Sequence, residues 1–186
     1  MQDYHDILAE VLIDEVTLKK RVKELADEIN RDYAGQQVLL ICILRGALPF
    51  MVDLMRNLDI QNAIDCMAIS SYGQGKREST GNVRMTLDLQ TNIEGKNVIL
   101  VEDIVDSGHT IAHVLELLRT RKPKTLKVCT LLDKSSRREV EVPIDYRGFS
   151  IANKFVFGYG LDLDEYYRNL PFVGVVDLER YISNQN

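Results

Sequence analysis

The sequence has no apolar run near the length needed to cross a membrane. It also lacks the basic start of a signal peptide, since it opens Met1-Gln2-Asp3-Tyr4-His5. It has no excess of positive charge, carrying −5 at pH 7, which argues against a general nucleic-acid binder. Cysteine is scarce and odd in number. Cys42, Cys66 and Cys129 are far apart and each sits in an apolar run, so buried free thiols are expected rather than disulfides or a metal site. No P-loop pattern occurs. His109 and His113 stand four apart, but Thr110 occupies the place where a zinc-protease motif needs Glu. No internal repeat or linker is visible. These absences leave a cytoplasmic protein forming one domain over residues 1–186, and 45% hydrophobic residues suffice for a sizeable core.

What is present centres on residues 98–110. Val98-Ile99-Leu100-Val101 is a β-branched apolar run behind Gly95-Lys96-Asn97, the pattern of a strand buried on both faces. Glu102 and Asp103 follow where the strand is expected to end. Asp106-Ser107-Gly108-His109-Thr110 then leads into a helix over 111–119, with an apolar face of Ile111, Val114, Leu115 and Leu118. In open α/β sheets ligands bind beyond the carboxyl ends of the strands. A short hydroxyl-rich loop entering a helix offers N–H groups to a phosphate. An acid pair beside such a loop suggests one ligand carrying both a sugar diol and a phosphate.

The stretch resembles the phosphoribosyl-pyrophosphate (PRPP) signature of the type I phosphoribosyltransferases. The rest of the chain extends the likeness. Asp14 is a plausible N-cap for a helix with Leu18, Val22, Leu25, Ile29 and Tyr33 at helical spacing, stopped by Gly35. A buried strand over 38–43 runs into Leu44-Arg45-Gly46, with Pro49 near the start of a helix over 48–57. Read alone, this is an ordinary βα turn. Against the family it resembles the loop that contacts pyrophosphate, and it implies a cis peptide bond between Leu44 and Arg45. A strand over 64–70 enters a polar, glycine-bearing stretch over 71–82. Its ends, Ser71-Tyr72-Gly73 and Ser79-Thr80-Gly81, are similar to the family's closing lid, although a solvated connection is the plainer reading.

Strand patterns recur at 84–89, 126–132 and 149–151, and residues 172–176 are expected to close the sheet. Arg137 and Arg138, in the short segment after Lys134, read as a solvated charged loop. The aromatic stripe Phe155, Phe157, Tyr159 reads as core on its own. Yet the segment from Lys154 to Asp162 resembles the purine-binding segment of the hypoxanthine-guanine phosphoribosyltransferases.

That resemblance implies a central, mostly parallel sheet flanked by helices, with a small base-binding hood from the N-terminal segment and residues 150–186. It implies transfer of the phosphoribosyl group of PRPP to N9 of hypoxanthine or guanine, giving IMP or GMP and pyrophosphate, in purine salvage. Glu102 and Asp103 then hold the ribose hydroxyls. Asp106, Ser107, Gly108, His109 and Thr110 cradle the 5′-phosphate, and Asp106 also accepts the purine proton. Lys134 reads the 6-oxygen, Phe155 stacks on the base, and Val156 and Leu161 line it. Leu44, Arg45 and Gly46 with Arg168 bind pyrophosphate. Asp162, with Glu102 and Asp103, helps hold Mg²⁺. His109 stands where many relatives carry Lys, which makes part of the charge at the 5′-phosphate pH-dependent. A homodimer or homotetramer is expected. The alternatives are a xanthine-preferring or broad 6-oxopurine enzyme and a PRPP-sensing regulator of the same fold; the charge and the intact set of residues speak against the regulator.

Overall fold

The structure, a computed structural model, describes residues 3–71 and 83–183. Its centre is a six-stranded sheet with spatial order β4-β3-β2-β5-β6-β7. The strands are β2 (Val38–Leu44), β3 (Asn62–Ser71), β4 (Val83–Leu87), β5 (Asn97–Val105), β6 (Thr125–Asp133) and β7 (Tyr146–Ser150). All neighbours run parallel except β4, which returns antiparallel along β3 at one edge. Side-chain alternation in the central strands divides the core. Leu40 and Cys42 of β2 with Ile99 and Val101 of β5 pack under Leu18, Val22, Leu25 and Ile29 of helix α1 (Glu15–Asp32) and Phe50, Met51 and Leu54 of α2 (Leu48–Arg56). Leu39 and Ile41 with Val98 and Leu100 pack under Ile111, Val114, Leu115 and Leu118 of α3 (His109–Thr120) on the other face. A strand segment covered on both sides is apolar at successive positions, which is why Val38–Leu44 of β2 and residues 98–101 of β5 read as unbroken hydrophobic runs.

The expected caps are present. Asp14 accepts the Thr17 N–H at 2.8 Å, and α1 ends just before Gly35, whose φ is +71°. Pro49 lies in the first turn of α2, where no N–H is required of it. Cys42 and Cys129 are buried free thiols, and Cys66 is a half-buried one. Burial pushes the Cys42 thiol up to about 12, so it behaves as a small apolar side chain. No helix among the described residues is long and apolar enough to cross a membrane.

Residues 172–176 do not close this sheet. β9 (Val173–Val176) lies in a separate three-stranded sheet, between β1 (Leu8–Ile13) and β8 (Val156–Phe157), and pairs antiparallel with both. The main sheet is already complete at β7, and the apolar side chains of the small sheet have their own core: Ile7, Phe157, Leu163, Leu170, Val176 and Tyr181. Both chain ends thus build one small layer, which continues into a short helix α4 (Leu178–Ser183).

Candidate active site

Strand β5 continues beyond the apolar run, through the acid pair to Val105. Its neighbour β6 keeps pairing with it as far as Val105 opposite Asp133, so Glu102 and Asp103 sit on the end of the strand rather than after it. Glu102 is buried and Asp103 half-buried. Burial, and then the neighbouring Asp103 charge, raise Glu102 well above the usual carboxylate range, and its Oε2 has no hydrogen-bond partner among the described residues. Asp103 is pushed up to about 6, chiefly by desolvation, although its Oδ1 accepts the Ile104 N–H at 2.9 Å. An unpartnered buried carboxylate oxygen is costly, and a strongly shifted carboxyl beside a ligand loop is a functional-site candidate.

These shifts make a stability prediction. The folded chain holds the Asp103 proton more tightly than the unfolded chain does. That contribution is fully present below the unfolded value near 4 and is lost as pH rises through about 6. Asp103→Asn is therefore expected to raise the melting temperature at pH 8. The gain is about 1–2 kcal/mol after discounting for partial exposure, or roughly 4 °C for a chain of this size, and it fades by about pH 4. Calorimetric melts at the two pH values check this; a lower melting temperature at pH 8 contradicts it.

Around the acids stand three loops. The first follows β5: Asp106-Ser107-Gly108 leads into α3, and with Glu102, Thr110 and Ile111 it lines a concavity of about 90 Å³. Gly108 has φ +93°, and a Cβ there lies 2.3 Å from the Val140 carbonyl oxygen. Only glycine fits. His109 Nε2 meets Glu139 Oε2 at 2.9 Å, and His113 is exposed on α3. The second loop follows β2, where the Leu44–Arg45 peptide bond is cis. Gly46 lies so close to Asp103 that an added Cβ falls 1.7 Å from the carboxylate Oδ2. The third comprises Lys134 and the turn after β6. Lys134 is buried, and its N–H donates to the Val105 carbonyl at 3.0 Å. Its Nζ lies 3.4 Å from Asp106 Oδ2, while Arg137 Nε lies 3.2 Å from Asp106 Oδ1.

The segment after β8 completes the ring. Phe155 is 46% exposed, whereas Val156 and Leu161 are buried. Arg168 pairs with Asp162 at 2.9 Å and donates to the Gly160 carbonyl at 2.8 Å. Glu165 lies between Arg168 and Arg45, 3.4 Å from the first and 2.5 Å from the second. Gly160, with φ +100°, is pressed onto the β2–α2 loop: a Cβ there comes within 1.9 Å of the Gly46 carbonyl oxygen. Gly160→Ala is expected to destabilise the fold by about 2 kcal/mol or more, since neither the left-handed backbone nor the main-chain neighbour can yield cheaply. Denaturant unfolding measures it; a loss under 0.5 kcal/mol (on the order of a neutral surface change) contradicts the contact.

Most of the residues singled out in the sequence are therefore brought to one end of the sheet. Ser71 ends β3, and its side chain lies outside the description, as does the remainder of the lid stretch, 72–82. Arg137, Arg138 and Glu165 belong to the same surroundings and have no role in the sequence reading, and Gly160 lies in the segment from Lys154 to Asp162 without being singled out there. The one legible signal was the Arg pair three and four residues after Lys134. Two larger concavities, of about 410 and 480 Å³, open at the other end of the sheet. The first is lined by residues such as Gln36, Gln61, Asn97 and Lys124, the second by residues such as Asn92 and Lys122. Neither gathers a carboxylate pair, so size does not locate the chemistry here.

Comparison with known proteins agrees with this geometry. The family model described as phosphoribosyl transferase domain matches residues 12–164. The hypoxanthine-guanine phosphoribosyltransferase of Bacillus subtilis is 46% identical over 96% of this chain and 98% of its own length. The crystal structure of a hypoxanthine phosphoribosyltransferase from Staphylococcus aureus, tetragonal form, superposes with a TM-score of 0.91 at 42% identity, covering 96% of each chain. The bifunctional protein TilS/HprT of Listeria monocytogenes is 43% identical over 97% of this chain, which spans only 28% of that relative's length. The chain belongs to the phosphoribosyltransferase family.

Proposed function

We propose that this protein transfers the 5-phosphoribosyl group of PRPP to N9 of hypoxanthine or guanine, releasing pyrophosphate and IMP or GMP for purine salvage. The observation that carries the reading is the juxtaposition of Asp106 and Lys134. A carboxylate that can take a proton and a buried ammonium that can donate to an oxygen stand 3.4 Å apart, beside a phosphate-type loop.

The reaction breaks the bond between C1′ and pyrophosphate, leaving positive charge on the ribose and negative charge on the leaving group. Glu102 and Asp103 fix the ribose through its 2′- and 3′-hydroxyls, so that much of the rate comes from position. The N–H groups and hydroxyls of residues 106–110 anchor the 5′-phosphate. Phe155 stacks on the purine, Val156 and Leu161 line it, and Lys134 donates to its 6-oxygen. Asp106 accepts the proton that the base loses as N9 attacks. Adenine presents an amino group to Lys134, donor against donor, and is refused. Arg168 and the loop of Leu44, Arg45 and Gly46 receive the pyrophosphate as its charge grows. The small sheet from both chain ends forms the hood over the base and keeps water from the reacting carbon.

Among the described residues no three His, Cys, Asp or Glu side chains converge on a metal. The acids present suit an ion that arrives on the pyrophosphate and keeps several waters, the usual manner for magnesium. Glu102, Asp103 and Asp162 would hold it; the Glu102 Oε2, which has no hydrogen-bond partner among the described residues, supports that reading. When bound, Mg²⁺ supplies charge neutralisation at the leaving group. Calorimetric titration with IMP, GMP and AMP tests the reading of the base. IMP and GMP are expected to bind at least tenfold more tightly than AMP, and equal affinities contradict the role of Lys134.

A further inference from the structure

We propose that Arg138 is a positioning residue that sets the spacing between the phosphate loop and the purine-reading lysine. This rests on the function proposed above and assigns it one further residue. Arg138 lies in the charged segment after Lys134, and its side chain is only 7% exposed. One guanidinium nitrogen, Nη2, donates to Asp133 Oδ1 at 2.5 Å; the other, Nη1, donates to the main-chain carbonyl of Asp106 at 2.9 Å. Asp133, 1% exposed, is the last residue of β6 and the residue before Lys134. One rigid fork therefore grips the strand end that carries Lys134 and the loop residue that carries the proton-accepting carboxylate.

The main chain beside it repeats the link. The N–H groups of Glu139 and Val140 both donate to the Ser107 carbonyl, at 2.9 and 3.0 Å. Gly108 packs under the same segment, with room for no Cβ between it and Val140 or the Arg138 stem. The 138–140 segment is thus a splint along the phosphate loop, and Arg138 joins it to β6.

A buried ion pair is a poor source of stability, because the desolvation of both charges offsets most of their attraction. A fixed geometry is what such a pair delivers. Arginine suits the task and lysine does not: the planar guanidinium presents two N–H groups in set directions, whereas an ammonium is a single point of charge. Arg147 gives the contrast. Its Nε lies 2.9 Å from Asp133 Oδ2, yet its side chain is half exposed and among the described residues it makes no hydrogen bond to the phosphate loop.

Arg138→Lys is the test. It keeps the charge beside Asp133 and gives up the second grip. PRPP affinity is read by calorimetry and the KM for hypoxanthine by steady-state kinetics. Both constants are expected to worsen at least ~5-fold in a folded variant, since both substrates span the two elements that Arg138 joins. Arg147→Gln, which removes the other partner of Asp133, is expected to lower the melting temperature and leave both constants within ~2-fold of the parent. If Arg138→Lys fails to fold, Asp133→Asn, of the same shape and with one acceptor kept, should show the same paired weakening at ~3-fold. Unchanged constants in a folded Arg138→Lys or Asp133→Asn, or an equal loss in Arg147→Gln, overturn the proposal. A parent protein that binds PRPP but turns over no purine speaks against the transferase reading instead, and the PRPP titrations still decide the role of Arg138.

Discussion

Asp106→Asn is expected to lower turnover with hypoxanthine by ~10²–10⁴-fold while leaving PRPP affinity within about threefold of the parent. The asparagine keeps the size of the side chain and can still meet Lys134 and Arg137, which flank the carboxylate at 3.4 and 3.2 Å. It cannot accept a proton at the pH of the reaction. The main-chain contacts of the loop, including the Asp106 carbonyl held by Arg138, do not depend on the carboxylate. The split between the two constants is the informative part. A matched loss in PRPP affinity makes Asp106 a loop-building residue, and full turnover removes the proton-acceptor role altogether. Steady-state kinetics with both substrates varied, together with a PRPP titration, separates the three.

The second large effect concerns the base. Lys134 is buried, so its ammonium must find its partners inside the site, and the proposed reaction offers it the 6-oxygen of the purine. Lys134→Gln is expected to cost about 2–4 kcal/mol of transition-state binding with hypoxanthine or guanine, or ~30–1,000-fold in kcat/KM. A glutamine amide can also accept a hydrogen bond from a 6-amino group. The preference for hypoxanthine over adenine is therefore expected to shrink by at least ~10-fold. Parallel kcat/KM measurements with the two bases check this. An unchanged preference, whatever the loss in rate, would place the selection elsewhere in the pocket.

Much of this was legible in the chain because its strongest signals are local. Val98 to Val101 announces a doubly covered strand, and the acids, glycine and hydroxyls after it announce a ligand end, with no knowledge of what packs nearby. Asp14, Gly35 and Pro49 mark helix ends for equally local reasons. What local pattern cannot supply is partnership between distant segments. The length of β5 depended on β6 continuing to Asp133, which is why the acid pair lies within the strand. Residues 173–176 have the composition of any buried strand, and only their pairing with residues 8–13 and 156–157 decides which sheet they join. Arg138 looked like a solvated cation until Asp133 and the Asp106 carbonyl, reached through folding, enclosed it. The Gly46–Gly160 contact joins residues more than a hundred positions apart, and nothing in either neighbourhood signals it.

The acid pair shows why a site like this resists stabilisation. Glu102 and Asp103 are held with their protons more tightly than in the unfolded chain, so near neutral pH they weaken the fold that carries them. Neutral substitutes there should strengthen the protein and, on the proposed function, weaken binding of the ribose diol, the usual exchange between stability and function.

The measurement that bears most directly on the whole account is nucleotide formation from PRPP and Mg²⁺ in four separate reactions, with hypoxanthine, guanine, xanthine or adenine. The account predicts IMP and GMP with the first two and no AMP with adenine; the xanthine reaction shows how far the enzyme extends among 6-oxopurines. AMP formed as readily as IMP would contradict the base selection, and no nucleotide from any base, despite PRPP binding, would contradict the transferase itself.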